Sequence, residues 1–410
     1  DHRDLHSFPT RRSSDLDPMP DVSSASIGLW FGVGTRFEQA NEGGLSHLLE
    51  HMFFKGTATR DARALNQSIE NVGGALNAYT SREQTAYHAR ILAEDAPLAL
   101  ELLADMMNNS RFDEADLKRE KDVIAAEIGE AYDAPDDWIF DLFQLTAYPD
   151  QPLGRPVLGN VESLEAISRQ QLFDYVRTHY RAGRCVLAGA GALRHEELVK
   201  LGTSLFATMP EGQPENPAPA LYKGGSVAEE RDIEQLHLCL GHRGVTYGHH
   251  LFFAQNLFAM ALGGGTSSRL FEEIREQRGL AYSVSAFMQP FQDDGLLVIY
   301  MAADADRAAE AYKVALEQLH SLSHSMTQAE LDRARALTRA NLLMGLESTE
   351  NRAERLAGQL LHYNRLISME ETMEGLARVT LEDIRCYAEL LLASPLTRAA
   401  VGPVKELGWS

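Results

Sequence analysis

Two histidines four residues apart, with a glutamate between them, are the side chains in this sequence best placed to do chemistry. They lie in His47-Leu48-Leu49-Glu50-His51. Four residues is about one helical turn, so on a helix both imidazoles point the same way. Two nitrogen ligands on one zinc ion need that geometry. Glu50 stands three residues from His47 and next to His51, so it can reach a zinc-bound water without being a ligand. Zinc lowers the pKa of such a water, and the carboxylate takes its proton as general base. With 14 histidines in the chain, the string arises by chance in roughly a few per hundred chains of this length. Alone it is suggestive, and a surface helix with two solvated histidines would carry the same string, so a third ligand has to be found.

A catalytic zinc needs that third protein ligand and one open position. Acids follow in Phe112–Glu130 (FDEADLKREKDVIAAEIGE): Glu120, Asp122, Glu127 and Glu130. Glu120 and Glu127 are seven apart and share a helix face, which Val123, Ile124 and Ile128 flank and could bury. A carboxylate near buried apolar neighbours is costly unless it binds a cation. Spacing alone does not choose between Glu120 and Glu127.

GGLSHLLEHMFFKGT followed by REKDVIAAEIGE resembles the M16 metalloendopeptidases (pitrilysin, insulinase and mitochondrial processing peptidase), whose zinc helix carries the inverted HxxEH string. The resemblance runs from about Ala25 to the end of the chain. It implies one Zn2+ per chain, with His47, His51 and Glu127 as ligands and Glu50 as the catalytic base. Glu127 stands at the family's spacing, 127 − 51 = 76 residues after His51. Glu120 matches the family's second acid, which supports the site without necessarily touching metal. Gly73–Tyr87 (GGALNAYTSREQTAY) resembles the segment whose edge strand, here Asn77-Ala78-Tyr79, holds an extended peptide by main-chain hydrogen bonds. An ordinary hairpin carries the same residues. Gly263–Val284 resembles the family's glycine-rich turn, helix and Arg-x6-Tyr pair. The pair maps onto Arg275 and Tyr282, a cation and a phenol suited to stabilising an oxyanion. Taken alone, Arg275 reads as a surface ion pair with Glu272 or Glu276. The resemblance also implies that two chains close on each other, Arg275 and Tyr282 of one completing the zinc site of the other. A homodimer is the economical reading; a heterodimer with a related inactive chain is the alternative.

Apolar alternation predicts strands at Ala25–Val33, Tyr87–Leu92, Cys185–Gly189, Leu236–Leu240 and Gly295–Met301. Helical periodicity predicts helices from about Leu45 and at Ala64–Val72, Ala96–Asn108, Asp113–Ala131 and Ala308–Ser321. Strands arrive in pairs between helices, which favours α+β: mostly antiparallel sheets with helices packed on one face, the M16/LuxS-like architecture. A Pro- and Gly-rich stretch, residues 209–225, divides the chain near its middle. Phe112–Ile128 and Met326–Leu342 correspond at an offset of 326 − 112 = 214, each opening with a helix-cap signature. His51–Thr57 lies opposite Met260–Thr266 at 209. Two homologous domains are therefore expected, 17–208 with the metal and 226–410 without it. At these offsets His47, Glu50, His51, Glu120 and Glu127 meet Asn256, Ala259, Met260, Ala334 and Asn341, none of which repeats the chemistry.

The 410 residues are 44% hydrophobic and 24% charged. That excludes intrinsic disorder, and no run of about 20 apolar residues offers a bilayer span. The formal charge of −21 repels nucleic acid and anionic membrane, and suits basic peptides. Three separated cysteines, Cys185, Cys239 and Cys386, form neither a disulfide framework nor a Cys-type zinc site, and suit a cytoplasmic setting. His6–Leu16 resembles the in-frame translation of a common DNA sequencing adaptor, so Asp1–Leu16 is set apart as non-native. A native start is then missing, and an export signal is neither seen nor excluded. The family's first strand ends near Asp17–Pro20, so the sheet is expected to lack that strand. The expected function is a zinc endopeptidase that cleaves extended peptides or unfolded segments inside an enclosed dimeric chamber. The alternative is a non-catalytic scaffold or partner subunit of the same fold.

Overall fold

The computed structural model describes residues 13–407. In the first half, β1 Ser13–Pro18, β2 Ser24–Phe31, β3 Ala75–Thr80, β4 Thr85–Leu92 and β5 Cys185–Gly191 make one sheet, ordered β1-β5-β2-β4-β3. The helices of that half are α1 Leu45–Phe53, α2 Ala62–Glu70, α3 Ala96–Asn109, α4 Glu114–Asp133, α5 Pro135–Ala147, α6 Val161–Ala166, α7 Arg169–His179 and α8 His195–Leu205. The second half repeats the plan with β6 Gly225–Glu230, β7 Gln235–Arg243, β8 Ala281–Pro290, β9 Gly295–Asp304 and β10 Thr397–Gly402, ordered β6-β10-β7-β9-β8. Its helices are α9 Phe252–Gly263, α10 Ala305–Ser325, α11 Gln328–Gly345, α12 Thr349–Tyr363, α13 Met369–Arg378 and α14 Leu381–Leu392. In both sheets the first strand runs parallel to the last and every other pair is antiparallel. The fold is the expected α+β of two homologous sheets.

One face of the first sheet packs on its own helices, with Ile27, Leu29 and Phe31 meeting Leu48 and Phe53. The opposite face is covered too. Trp30, Ala86, Val186, Ala188 and Ala190 lie under α12, which presents Ala353, Leu356 and Ala357. Mostly small side chains on both surfaces let the helix approach the sheet closely. β2 and β5 are consequently buried along almost their whole length instead of alternating. The second sheet is covered the same way by α5, through Ile139, Leu142 and Phe143 on Cys239, Val298 and Ala399. The compact units are therefore Asp1–Gly129 with Arg155–Ala218 and Gly345–Leu366, and Glu130–Gly154 with Pro219–Met344 and Ile367–Ser410. Linear bounds of 17–208 and 226–410 do not describe this exchange, which arises because each sheet's second apolar face must be buried by something.

The first strand is present, contrary to the expectation that it is lost. Ser13–Pro18 pairs in parallel with Val186–Gly191. Edge pairing is made by main-chain groups and asks little of sequence, so a segment with no apolar alternation can supply it. Leu16 packs on the core, and Arg352 of α12 grips the Asp17 carboxylate through both oxygens at 2.9 and 3.0 Å. Residues 1–12 of the proposed adaptor segment lie outside the described residues. Among the described residues no helix is long and apolar enough to cross a membrane.

Candidate metal centre

α1 owes its orientation to Leu45, Leu48, Leu49, Met52 and Phe53, each fully buried. That i, i+3, i+4, i+7, i+8 stripe turns His47, Glu50 and His51 to the other side. The helix begins at Gly44, whose φ of +89° and close approach to the Leu158 carbonyl leave no room for a Cβ. Gly44 offers no side-chain cap. Glu38 supplies one from six residues upstream, accepting the Gly44 N–H at 3.1 Å and the Ser46 N–H at 2.7 Å. Burial pushes the Glu38 carboxyl up to about 7 despite these bonds and the nearby Arg155. α4 delivers the acids, anchored by buried Leu117 and Ile124. Val123 is 44% exposed and does not shield the carboxylates, because it sits one residue round the helix from Ile124.

The two helices bring His47, His51 and Glu127 together, with one ligand atom from each lying within 4.8 Å of the others. Glu127 Oε2 stands 4.0 Å from His47 Nε2 and 3.8 Å from His51 Nε2. Tetrahedral zinc with bonds of ~2.0–2.2 Å separates its ligands by about 3.3–3.5 Å, so small side-chain adjustments close the set around one ion. Burial, reinforced by His51, lowers His47 to about 4. The ring is then neutral at neutral pH, as a ligand must be. Its Nδ1 is buried without a hydrogen-bond partner among the described residues. The donor chemistry fits zinc.

Structure separates the two candidate acids. Glu120 is buried and takes His51 Nδ1 at 3.0 Å and Lys55 Nζ at 2.8 Å. It fixes the His51 ring from behind while Glu127 faces the Nε2 atoms. Asp122 and Glu130 are exposed. Glu50 lies beside this group, near enough to feel the charges of His51 and Glu127. Burial raises its carboxyl above the usual range; a hydrogen bond from Thr80 and the neighbouring His51 pull it down, and Glu127 pushes it up. Thr80 Oγ1 donates to Glu50 Oε2 at 2.6 Å.

Asn77, Ala78 and Tyr79 lie on β3, which is an edge of the sheet and among the described residues pairs with β4 alone. The Ala78 N–H donates to Asn77 Oδ1 at 2.9 Å. Tyr79 Oη donates to Glu354 of α12 at 3.0 Å and accepts from Gln84 Nε2 at 2.6 Å. In the second unit, Arg275 sits in a π-helical turn, Phe271–Gln277, and Tyr282 at the irregularity in the β8–β9 register. Such turns and bulges re-aim side chains. The Arg275 guanidinium lies 4.3 Å from the Tyr282 ring centre and 4.7 Å from that of Phe271. Its Nε is 3.9 Å from Glu276. Tyr282 is 73% exposed. On α9 and α11, Ala259 and Ala334 are buried, and Met260 packs on the same core. Asn256 Nδ2 turns back to the Phe252 carbonyl. Ala259, Met260 and Ala334 thus pack in or against the core where the first unit has Glu50, His51 and Glu120, and the neutral Asn256 and Asn341 stand opposite His47 and Glu127.

Sequence reasoning missed Thr80, Lys55 and Glu38. Lys55, one turn past His51, was open to an i, i+4 reading. Thr80 adjoins the edge-strand residues, but nothing local links it to Glu50. No spacing signals the Glu38 cap.

Comparison with known proteins supplies the kinship. Residues 17–161 match the insulinase (peptidase family M16) family model, and residues 166–338 match the peptidase M16 inactive domain. An "uncharacterized zinc protease" of Rickettsia felis is 37% identical over 386 residues, covering 94% of each chain. Proteins with the same description from Mycobacterium tuberculosis and Bacillus subtilis are 38% and 34% identical, over 94% and 95% of this chain and 90% and 95% of their own. Two solved structures share the fold. One, described as a peptidase M16 inactive domain from Pseudomonas fluorescens, has a TM-score of 0.89 at 22% identity over 96% of both chains. The other, a protease from Helicobacter pylori, has a TM-score of 0.88 at 21% identity over 95% and 96%. With relatives this similar over nearly its whole length, and both family models matched in order, the chain belongs to the M16 (insulinase) peptidase family.

Proposed function

We propose that this chain is a zinc-dependent endopeptidase that cleaves extended peptides, with one zinc ion per chain held by His47, His51 and Glu127. The observation that carries the reading is the convergence of three donor atoms from two helices, with Glu50 beside them and an unpaired strand edge adjoining. Zinc, when bound, polarises the scissile carbonyl and lowers the pKa of water. Glu50 takes the proton of the attacking water and passes it to the departing amine. Its burial favours that exchange, because raising the carboxyl above its usual range makes it a better proton acceptor. Glu120, through His51 Nδ1, keeps the Nε2 lone pair directed at the metal. β3 holds the substrate in extended form by main-chain hydrogen bonds, which suits peptides and unfolded segments of varied sequence.

We further propose that two chains form a closed chamber, in which Arg275 and Tyr282 of one copy stabilise the oxyanion formed at the zinc of the other. The exposure of Tyr282, the half-buried Arg275 beside it and the irregular backbone that carries both support this reading. We also place this work in the cytoplasm, because three cysteines far apart in the sequence suit a reducing setting.

Glu50→Gln tests the chemistry. It should keep one zinc per chain and lower kcat on a quenched peptide by about 10²-fold or more. Cleavage at the wild-type rate defeats the proposed mechanism. Absence of both zinc and cleavage in the unaltered protein favours a non-catalytic partner subunit.

A further inference from the structure

We propose that Thr80 is a positioning residue that fastens the general base to the substrate-holding strand. This rests on the peptidase reading above and extends it to a residue with no metal contact. Thr80 is the last residue of β3. Its hydroxyl donates to Glu50 Oε2 at 2.6 Å, the only hydrogen bond to that carboxylate from a described residue. One oxygen is thus fixed, and Oε1 is left for the water it must deprotonate. A carboxylate on a three-bond stem swings freely when unheld, and a general base works only within hydrogen-bond reach of its proton. The bond also decides where the base stands relative to the peptide. β3 is braced on the same stretch by Tyr79, whose hydroxyl meets Glu354 and Gln84. Main-chain pairing of a substrate along Asn77–Tyr79 therefore sets the scissile bond in register with a residue that carries Glu50. Docking and base orientation become one mechanical unit, and no side-chain recognition is needed to align them.

Thr80→Val removes the hydroxyl and keeps the shape and strand propensity of threonine; Thr80→Ser keeps the hydroxyl. Steady-state cleavage of a quenched peptide is the assay, with zinc content measured on the same samples. Thr80→Val should lower kcat by about tenfold or more, since a hydrogen bond to a charged group is being removed, with KM within about twofold and zinc unchanged. Thr80→Ser should recover to within about threefold of wild type. In a Glu50→Gln background, Thr80→Val should add no comparable loss, because its effect runs through Glu50. A merely structural threonine would lower both backgrounds alike. Wild-type kcat in Thr80→Val, an equal loss in Thr80→Ser, or a loss confined to KM overturns the inference. If Glu50→Gln is itself fully active, the peptidase mechanism falls first; if Glu50→Gln is inactive while Thr80→Val is unimpaired, only the role of Thr80 falls.

Discussion

In the proposed site, Glu120 would serve a metal that it does not touch. Its carboxylate holds His51 Nδ1 on one side and Lys55 on the other. The Nδ1 bond selects the tautomer that leaves Nε2 free, and it stops the ring from rotating away. Glu120→Gln keeps the size but loses the charge that supports His51 when it ligates. We expect zinc affinity to fall by about 10–100-fold, measured by competition with a chromophoric chelator. An unchanged affinity would show that His51 is oriented by packing alone. Among the described residues His47 has no such partner on Nδ1, and it relies on burial, which also lowers it to about 4. The two histidine rings are thus held by different means, a hydrogen bond for His51 and burial for His47.

At the scale of elements, the chemistry depends on how α1 is started. The buried carboxylate of Glu38 replaces the missing cap, and its pKa is pushed up to about 7 from 4.5, mainly by burial. The folded state then holds a proton that the unfolded chain releases between those values. Stability from this group is full below about 4.5 and is lost as pH rises through about 7, by up to ~3 kcal/mol. Glu38→Gln mimics the protonated form and lacks this dependence. Its thermal midpoint should therefore gain on wild type between pH 5 and pH 8; a constant gap would contradict the assignment. Much of this layer is legible in sequence. The stripe of Leu45, Leu48, Leu49, Met52 and Phe53 predicts α1 because its partners are local, and the strands Ala25–Val33 and Gly295–Met301 stand out by apolar content. Glu127 needed family resemblance, since residues 76 apart meet only through folding. Glu38, Thr80 and the covering of Trp30 by α12 carry no local pattern, being contacts between segments that the sequence does not juxtapose. The first strand was misjudged because backbone pairing leaves little trace in residue type.

At the scale of the whole molecule, the repeated sheets differ in what they carry: ionisable donors in one unit, Ala259, Met260 and Ala334 in the other. Our proposal makes the working site a product of two copies. Co-expression of Glu50→Gln with Arg275→Ala tests it directly. Each variant alone should be impaired, but a mixed dimer pairs an intact zinc site on one chain with an intact Arg275 on the other. About one site in four should then be complete, and activity should return to about a quarter of wild type. If Arg275 serves its own chain, mixing restores nothing.

The helix exchange ties the two halves together. α5 begins at Pro135 and α12 at Thr349, and 349 − 135 = 214, the offset that relates the two halves elsewhere. Helices at corresponding positions therefore each bury the sheet built by the other half of the chain. Either half alone would carry a bare hydrophobic sheet face and a helix with nowhere to dock, so cutting the chain at its middle would leave neither piece a complete core.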